Sequence, residues 1–252
     1  MMPILALLLS NSIYEPTQLQ VNEEGISGAI NFNLSSATGN TDNTVLGGRA
    51  RLAHKNEKLT HVFEAGGNYT ETTSRDDLGA EDTEVTQNQW FGQYRMEYQT
   101  GDRSFAYART RYEEDQFSGF DRRVFVGGGM GIDLWSTETS EFKLLMGPGY
   151  QYAERVRPET PDPEFERIQR SAALFIGQDF RHVLRQNVTF EQGFDATFAE
   201  ENTTLAGQIA LKTDITDKIS SRISYAVKHE TAPPENREPT DTLLSASIGY
   251  SF

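Results

Sequence analysis

A strict two-residue alternation of apolar and small polar side chains constrains the fold of this chain more than any other feature. In the final segment, Leu244, Ala246, Ile248, Tyr250 and Phe252 share one face of an extended strand, and serine or glycine occupies most of the other. Residues 218–228 repeat the pattern, with mostly apolar residues at odd positions and mostly polar residues at even positions. This period predicts strands with one face in an apolar environment and the other in water.

Similar runs cover most of the preceding chain. They are found at 25–36, 44–54, 58–71, 85–99, 103–114, 122–135, 140–154, 168–180, 187–198 and 203–213. Each run is about 10–15 residues long, which exceeds the five or six residues of an average strand and is sufficient to cross a bilayer at a tilt. Residues 25–252 are therefore predicted to form one all-β domain, a transmembrane antiparallel up-and-down β-barrel of about 12 strands.

Hydropathy and charge limit the partners of such a barrel. Hydrophobic residues make up 37% of the chain and the mean hydropathy is -0.57, so no stretch approaches the roughly 18 apolar residues of a membrane-spanning helix. A barrel has a low average because alternate residues face a polar lumen. The net charge of -14 argues against a nucleic-acid partner, since phosphates attract a basic surface.

Residues 1–24 precede the first predicted strand. The run from Met2 to Ser10 resembles the apolar core of a secretory signal, although no Lys or Arg precedes it. We expect 1–24 to be either a signal-like lead segment or a mature segment that packs on the domain.

The predicted connections between strands alternate in length. Short connections fall at 55–57, 100–102, 136–139, 181–186 and 214–217, and longer ones at 37–43, 72–84, 115–121, 155–167 and 231–239, with 199–202 as a short exception. Short turns at one end and long loops at the other are typical of barrels in the outer membrane of Gram-negative bacteria, where the long loops face outward. An even strand count places both termini at the short-turn end, in the periplasm.

Charged residues occur on the strand face that is predicted to line the lumen. The predicted lumen-lining residues are Arg49, Arg51, Arg95, Glu97, Arg109, Arg111, Glu113, Arg123 and Asp133, with Glu64 and Lys143 in the same phase. Opposite charges in a narrow lumen can pair and fill it, or the same groups can line a selective aqueous pore. The sequence leaves both arrangements open.

Glycines interrupt two of these strands, notably Gly127, Gly129, Gly131, Gly147 and Gly149. A nucleotide-binding loop would require a strand, a glycine turn and a helix N-terminus, but the two-residue period continues through the glycines. We expect them to thin the inner wall, making room for large side chains or easing curvature of the sheet.

Neither catalysis nor a cofactor is predicted. The chain has four histidines, no two of them at metal-ligand spacing, and no G-x-S-x-G motif. We therefore expect no enzymatic activity, no cofactor and no resident metal ion.

Two loops are rich in carboxylates. One contains Asp76, Asp77, Glu81, Asp82 and Glu84, and the other Glu159, Asp162, Glu164 and Glu166. Carboxylates bind hard cations, so these loops offer an alternative function in adhesion, or in binding Ca²⁺ or lipopolysaccharide through divalent ions. The other interpretation is a solvated surface.

Several short motifs occur together in a characteristic order. They are Gly-Asn-Thr-Asp at 39–42, the run 112–123, Gly-Pro-Gly-Tyr at 147–150, Pro-Pro at 233–234, Thr-Asp-Thr at 240–242 and Tyr-Ser-Phe at 250–252. In these motifs the chain resembles the YdiY-like salt-induced outer-membrane proteins, the domain of unknown function 481. Gln116 departs from the arginine often found in that family. The resemblance implies an outer-membrane barrel and brings no defined activity.

The C-terminal residues Ile248, Tyr250 and Phe252 resemble the signal that the barrel-assembly machinery reads on its substrates. The other interpretation is an ordinary edge strand that ends in phenylalanine. The partners expected for the chain are accordingly outer-membrane lipid, lipopolysaccharide and the assembly machinery, and a monomer is favoured. The predicted function is a narrow passive pore or a largely closed structural barrel.

Deleting Phe252 should reduce the amount of folded barrel in the outer membrane far more than Phe198→Ala does. The reason is that a recognised terminal strand pairs through its backbone while alternate side chains give specificity. Folded protein in isolated outer membranes is quantified by its altered gel migration before boiling. Equal folded yields for the deletion and the unaltered chain would contradict a role in assembly.

Overall fold

A computed structural model describes residues 24–37, 41–75, 81–115, 119–157, 165–233 and 239–252. They form twelve strands: β1 (Gly25–Ala37), β2 (Thr41–Asn56), β3 (Leu59–Arg75), β4 (Glu81–Gln99), β5 (Ser104–Asp115), β6 (Phe120–Ser136), β7 (Ser140–Arg155), β8 (Ile168–Arg185), β9 (Val188–Ala199), β10 (Thr203–Asp214), β11 (Ile219–Glu230) and β12 (Thr240–Ser251). The segment 1–23, which includes the predicted signal-like residues, lies outside the described residues.

The twelve strands form a closed barrel in which each strand pairs antiparallel with its neighbours in sequence and β12 returns to β1. The predicted up-and-down barrel of about 12 strands is therefore confirmed. Within the described part of the chain there is no helix, and hence none that is long and apolar enough to span a membrane.

The outer face of the barrel carries the apolar half of each alternating pattern. Ile26 is 71% exposed, Ile248 is 62% exposed and Met146 is 58% exposed, although all three lie within strands. Large apolar side chains left in solvent over a continuous surface would be unusual for a protein that is surrounded by water. The outer face therefore forms the apolar band that a barrel presents to lipid.

The predicted bounds of the loop at 72–84 are wrong, because β3 continues to Arg75 and β4 begins at Glu81. Their pairing extends to Arg75 opposite Glu81. Threonine hydroxyls bridge the two strands, with Thr72 Oγ1 2.9 Å from Thr86 Oγ1 and Thr73 Oγ1 2.8 Å from Thr83 Oγ1. β-Branched threonines favour strands and form cross-strand pairs, which explains the extension. The bounds of the predicted loop 37–43 are wrong as well, because β1 and β2 pair as far as Ala37 opposite Asn43.

The closing seam of the barrel is short. In the described chain, β1 and β12 pair from Ala29–Ser251 to Phe32–Ile248, four residue pairs, whereas β1 and β2 pair over thirteen. Reciprocal backbone hydrogen bonds between Gly28 and Phe252, of 2.8 and 3.0 Å, extend the seam by one step beyond the end of β12. The other end of this seam has no ladder from Asn33 onward.

Strands β6 and β7 approach closely at the glycine cluster. The ladder between them is interrupted from Gly127–Gly149 to Met130–Met146, where Pro148 provides no N–H. A Cβ atom built on Gly129 would lie 2.1 Å from the carbonyl oxygen of Met146 and 2.6 Å from the Cα of Gly147. Only glycine fits this contact, since any side chain would meet backbone atoms.

Gly129→Ala is predicted to destabilise the barrel by about 1–3 kcal/mol, because the added methyl group must push two paired strands apart. Gly92→Ala is the matched control, since a Cβ at Gly92 meets nothing within 4 Å. The temperature at which the folded form is lost on semi-native gels should fall for the first variant and stay unchanged for the second. Equal temperatures for the two variants would disprove the close approach.

Candidate functional site in the barrel lumen

The side chains predicted to line the lumen all point inward. Arg95, Glu97, Glu113 and Arg123 are buried, and Arg49, Arg51, Arg109, Arg111 and Asp133 are partly buried. Their positions follow directly from the alternation, because successive side chains of a strand point to opposite faces of the sheet. The contacts among these residues divide the lumen into three layers.

The first layer lies near the end of the barrel where the long connections are found. Arg123 on β6 is 2.7 Å from Glu230 on β11 and 3.3 Å from Glu113 on β5. Glu230 also pairs with Lys228, and Glu113 with Arg111. Since β6 and β11 are five strands apart in the barrel, the pair of Arg123 and Glu230 crosses the lumen.

The second layer contains arginines stacked on aromatic rings. The Arg109 guanidinium lies 4.1 Å from the ring centroid of Phe175 and 3.6 Å from the carboxylate of Asp195. On the neighbouring wall, Arg49 and Arg111 lie 5.1 and 4.4 Å from the ring centroid of Phe91. Such cation–π contacts are worth about 2 kcal/mol or more where water is excluded. They hold the guanidinium planes in place.

The third layer lies toward the short-turn end. Lys143 is 3.1 Å from Glu97, 4.0 Å from Asp133 and 4.8 Å from the ring centroid of Phe105. Arg95 lies 2.6 Å from the other oxygen of Glu97. Charges of both signs therefore neutralise each other within the layer. Desolvated pairs of this kind require both partners, because a single buried charge is strongly unfavourable.

Opposite walls of the barrel also meet through apolar contacts. Phe91 on β4 packs against Ala206 on β10, which is six strands away in either direction around the barrel. Phe105, Tyr107, Leu145 and Phe175 form a second inward cluster. The lumen at these levels is occupied by side chains.

Several of these lumen residues were missed by sequence reasoning. The sequence pattern assigns apolar residues to the lipid face, so it misses the phenylalanine rings that point into the lumen. Phe91 nevertheless lies on the same face of β4 as Arg95 and Glu97, because all three have odd numbers. The acidic partners Asp195 and Glu230 also carry the inward phase of their strands. The two-residue alternation alone would have identified all of them as lumen residues, but it would not have shown which of them pair with one another.

A cavity lies between the first and second layers of the lumen. Its volume is about 80 Å³. The side chains that line it include Arg109, Arg111, Glu113, Arg123, Phe125, Gln151, Asp195, Thr197, Thr204 and Ala206. Most of them are within a few residues of the strand ends at the long-connection end.

No group of three His, Cys, Asp or Glu side chains in the described ranges is arranged to hold a metal ion. Asp76, Asp77, Glu159, Asp162 and Glu164 of the acidic loops lie outside the described residues. Cation binding or adhesion through those loops stays a prediction.

The predicted assembly residues lie on the outer face. Ile248, Tyr250 and Phe252 are 62%, 46% and 58% exposed, and the rings of Tyr250 and Phe252 are 6.4 Å apart. The Phe252 ring covers Gly28 across the seam, where a Cβ atom would lie 2.5 Å from it. This geometry gives the residues a structural role in closing the seam, and their role as an assembly signal stays a prediction.

Solved outer-membrane barrels share this architecture. The translocator domain of the autotransporter NalP from Neisseria meningitidis superposes with a TM-score of 0.53 at 10% identity, covering 92% of this chain and 89% of that one. An outer membrane channel from Pseudomonas putida F1 superposes with a TM-score of 0.51 at 12% identity, covering 96% and 99%. At these identities the likeness establishes the fold and leaves the activity open.

Sequence comparison identifies the family. The uncharacterized protein YdiY of Escherichia coli (strain K12) is 23% identical over 226 residues, which cover 89% of this chain and 82% of the relative. The model of the family described as "Protein of unknown function, DUF481" matches residues 30–252, nearly the whole barrel. The resemblance seen in the motifs is thereby confirmed, and the chain belongs to the DUF481 family.

Proposed function

We propose that the protein is a largely closed structural barrel of the Gram-negative outer membrane. The observation that carries this proposal is the ion pair of Arg123 and Glu230, which joins strands five apart at 2.7 Å. Its outer-membrane location is supported by the apolar outer face and by the likeness to outer-membrane barrels.

Closure of the lumen follows from the size and charge of its side chains. Twelve strands enclose a lumen between that of eight strands, which side chains fill, and that of sixteen, which is an aqueous channel. Here arginine and phenylalanine side chains from strands that are not neighbours meet in the lumen, as with Arg109 on β5 and Phe175 on β8. An ion passing through would have to separate desolvated pairs in three successive layers.

This proposal makes the barrel a non-enzymatic component of the membrane. Its partners would be outer-membrane lipid and lipopolysaccharide around the barrel, with the barrel-assembly machinery during biogenesis. The long connections would face outward and the short turns the periplasm.

The orientation is tested with single cysteines, because the chain contains none. Glu200→Cys places a thiol in the connection between β9 and β10, and Asp217→Cys places one in the turn between β10 and β11; both acidic residues are exposed. A membrane-impermeant maleimide should label the first variant on intact cells and the second only after the outer membrane is permeabilised. Labelling of Asp217→Cys in intact cells would reverse the orientation.

Closure is tested by planar-bilayer recording. The unaltered protein should show no discrete openings, whereas Arg109→Ala combined with Arg111→Ala should lower thermal stability and give measurable conductance, because two space-filling guanidinium groups are lost. Lys212→Ala is the matched control, since Lys212 also faces inward but is one-third exposed and pairs with Asp214 at 2.9 Å near the turn end. Exposed pairs contribute about 1 kcal/mol or less, so this variant should behave like the parent. Regular open steps from well-folded parent protein would refute closure.

A further inference from the structure

We propose that the 80 Å³ cavity between the first and second layers is a binding site for a small oxyanion that carries hydroxyl groups. This inference goes beyond closure of the barrel, because a structural plug needs no cavity of this composition. The residues that carry the inference are Arg109 on β5 and three neutral polar side chains on β7, β9 and β10.

Arg109 is a guanidinium with unused hydrogen-bonding capacity. Its side chain is nine-tenths buried, at 10% exposure, and it stacks on Phe175 at 4.1 Å and lies 5.5 Å from the centroid of Phe125. Among the described residues its only charged partner is Asp195, at 3.6 Å, a distance beyond that of a charge-assisted hydrogen bond. A buried guanidinium has five N–H groups, and leaving them without acceptors is costly.

The remaining charges of the cavity favour an anion. Glu113 pairs with Arg111 and Arg123, so its charge is already neutralised by two guanidinium groups. Asp195 faces Arg109. The lining contains three guanidinium groups and two carboxylates, and the adjoining pair of Glu230 and Lys228 adds no net charge, so a surplus of one positive charge remains. A single carboxylate or phosphate would balance it, and the flat guanidinium fork of Arg109 matches either group in a bidentate manner.

Neutral polar side chains complete the site. Gln151 on β7, Thr197 on β9 and Thr204 on β10 line the cavity, and their side chains make no hydrogen bonds within the described ranges. An amide and two hydroxyls offer both donors and acceptors, which suits hydroxyl groups on the ligand. The Phe125 ring supplies an apolar surface beside them.

A ligand would reach the cavity from the long-connection end, past the ion pair of Arg123 and Glu230 in the first layer. Thr204 is the second residue of β10 and Thr197 is two residues before the end of β9, so the cavity lies just below the long-connection end. Beneath it the cluster of Phe105, Tyr107, Leu145 and Phe175 blocks the lumen. A ligand that enters is held at a dead end, which is a property of a receptor and not of a channel.

The test is calorimetric titration of the folded, detergent-solubilised barrel with D-glycerate, with inorganic phosphate and with glycerol, in a buffer without oxyanions. Glycerate carries both the charge and alcohol hydroxyls, phosphate carries the charge without alcohol hydroxyls, and glycerol carries alcohol hydroxyls without charge. Glycerate should bind with the highest affinity, phosphate at least several-fold more weakly, and glycerol without measurable heat. Absence of heat with both anions at millimolar concentrations, or equal binding of glycerol, would overturn the proposal.

Variants separate the site from the general stability of the lumen. Arg109→Gln should weaken binding of both anions at least tenfold. Arg49→Gln is the matched control, because Arg49 also lies over a phenylalanine ring but pairs with Glu64 at 3.0 Å and does not line the cavity. Undiminished affinity of Arg109→Gln would refute the assignment of Arg109.

A second variant keeps the test valid if Arg109→Gln fails to fold. Thr204→Val preserves shape and every ion pair, and it should weaken glycerate binding several-fold while leaving phosphate binding unchanged. If Thr204→Val leaves the preference for glycerate over phosphate as it is in the parent, the hydroxyl-binding part of the proposal is wrong.

Discussion

Backbone hydrogen bonding in lipid is the constraint on which the rest of this structure depends. A strand edge that faces hydrocarbon has no water to satisfy its N–H and C=O groups, so the sheet must close on itself. In this barrel the sheet closes where β12 pairs with β1. Closure commits one face of each strand to lipid, which leaves the lumen as the place for charged side chains within the membrane.

The lumen accommodates those charges by pairing and stacking. Arg123 meets Glu230 across the barrel, and Arg109 lies on the ring of Phe175. The aromatic rings are as important as the carboxylates, because a phenylalanine fills space that water would otherwise occupy and strengthens the nearby electrostatic attraction. Glycines make room for these rings, as where the Phe105 ring lies over Gly131, 2.1 Å from the position that a Cβ would take.

The fold could be predicted from the sequence because the alternation is local and repeated. The same local signal predicted that Arg95 and Glu97 share the lumen face. It could not predict that Arg123 meets Glu230, because a contact across the lumen depends on how far each strand is shifted along its neighbour, summed over five strands. The strands β3 and β4 were predicted too short for a different reason. Thr72 and Thr73 lie on opposite faces of β3 and both are polar, so the apolar alternation ends before the hydrogen-bonded ladder does.

The short pairing between β1 and β12 makes the resistance of the barrel to force differ around its circumference. Along the described chain, every other neighbouring pair of strands is joined by at least eleven residue pairs, and this seam by four. β1 and β12 meet at this seam, so a force that pulls either strand away from the barrel acts first on its weakest ladder. Under such a load β1 and β12 would separate first, and the remaining strands would then detach in order along the sheet.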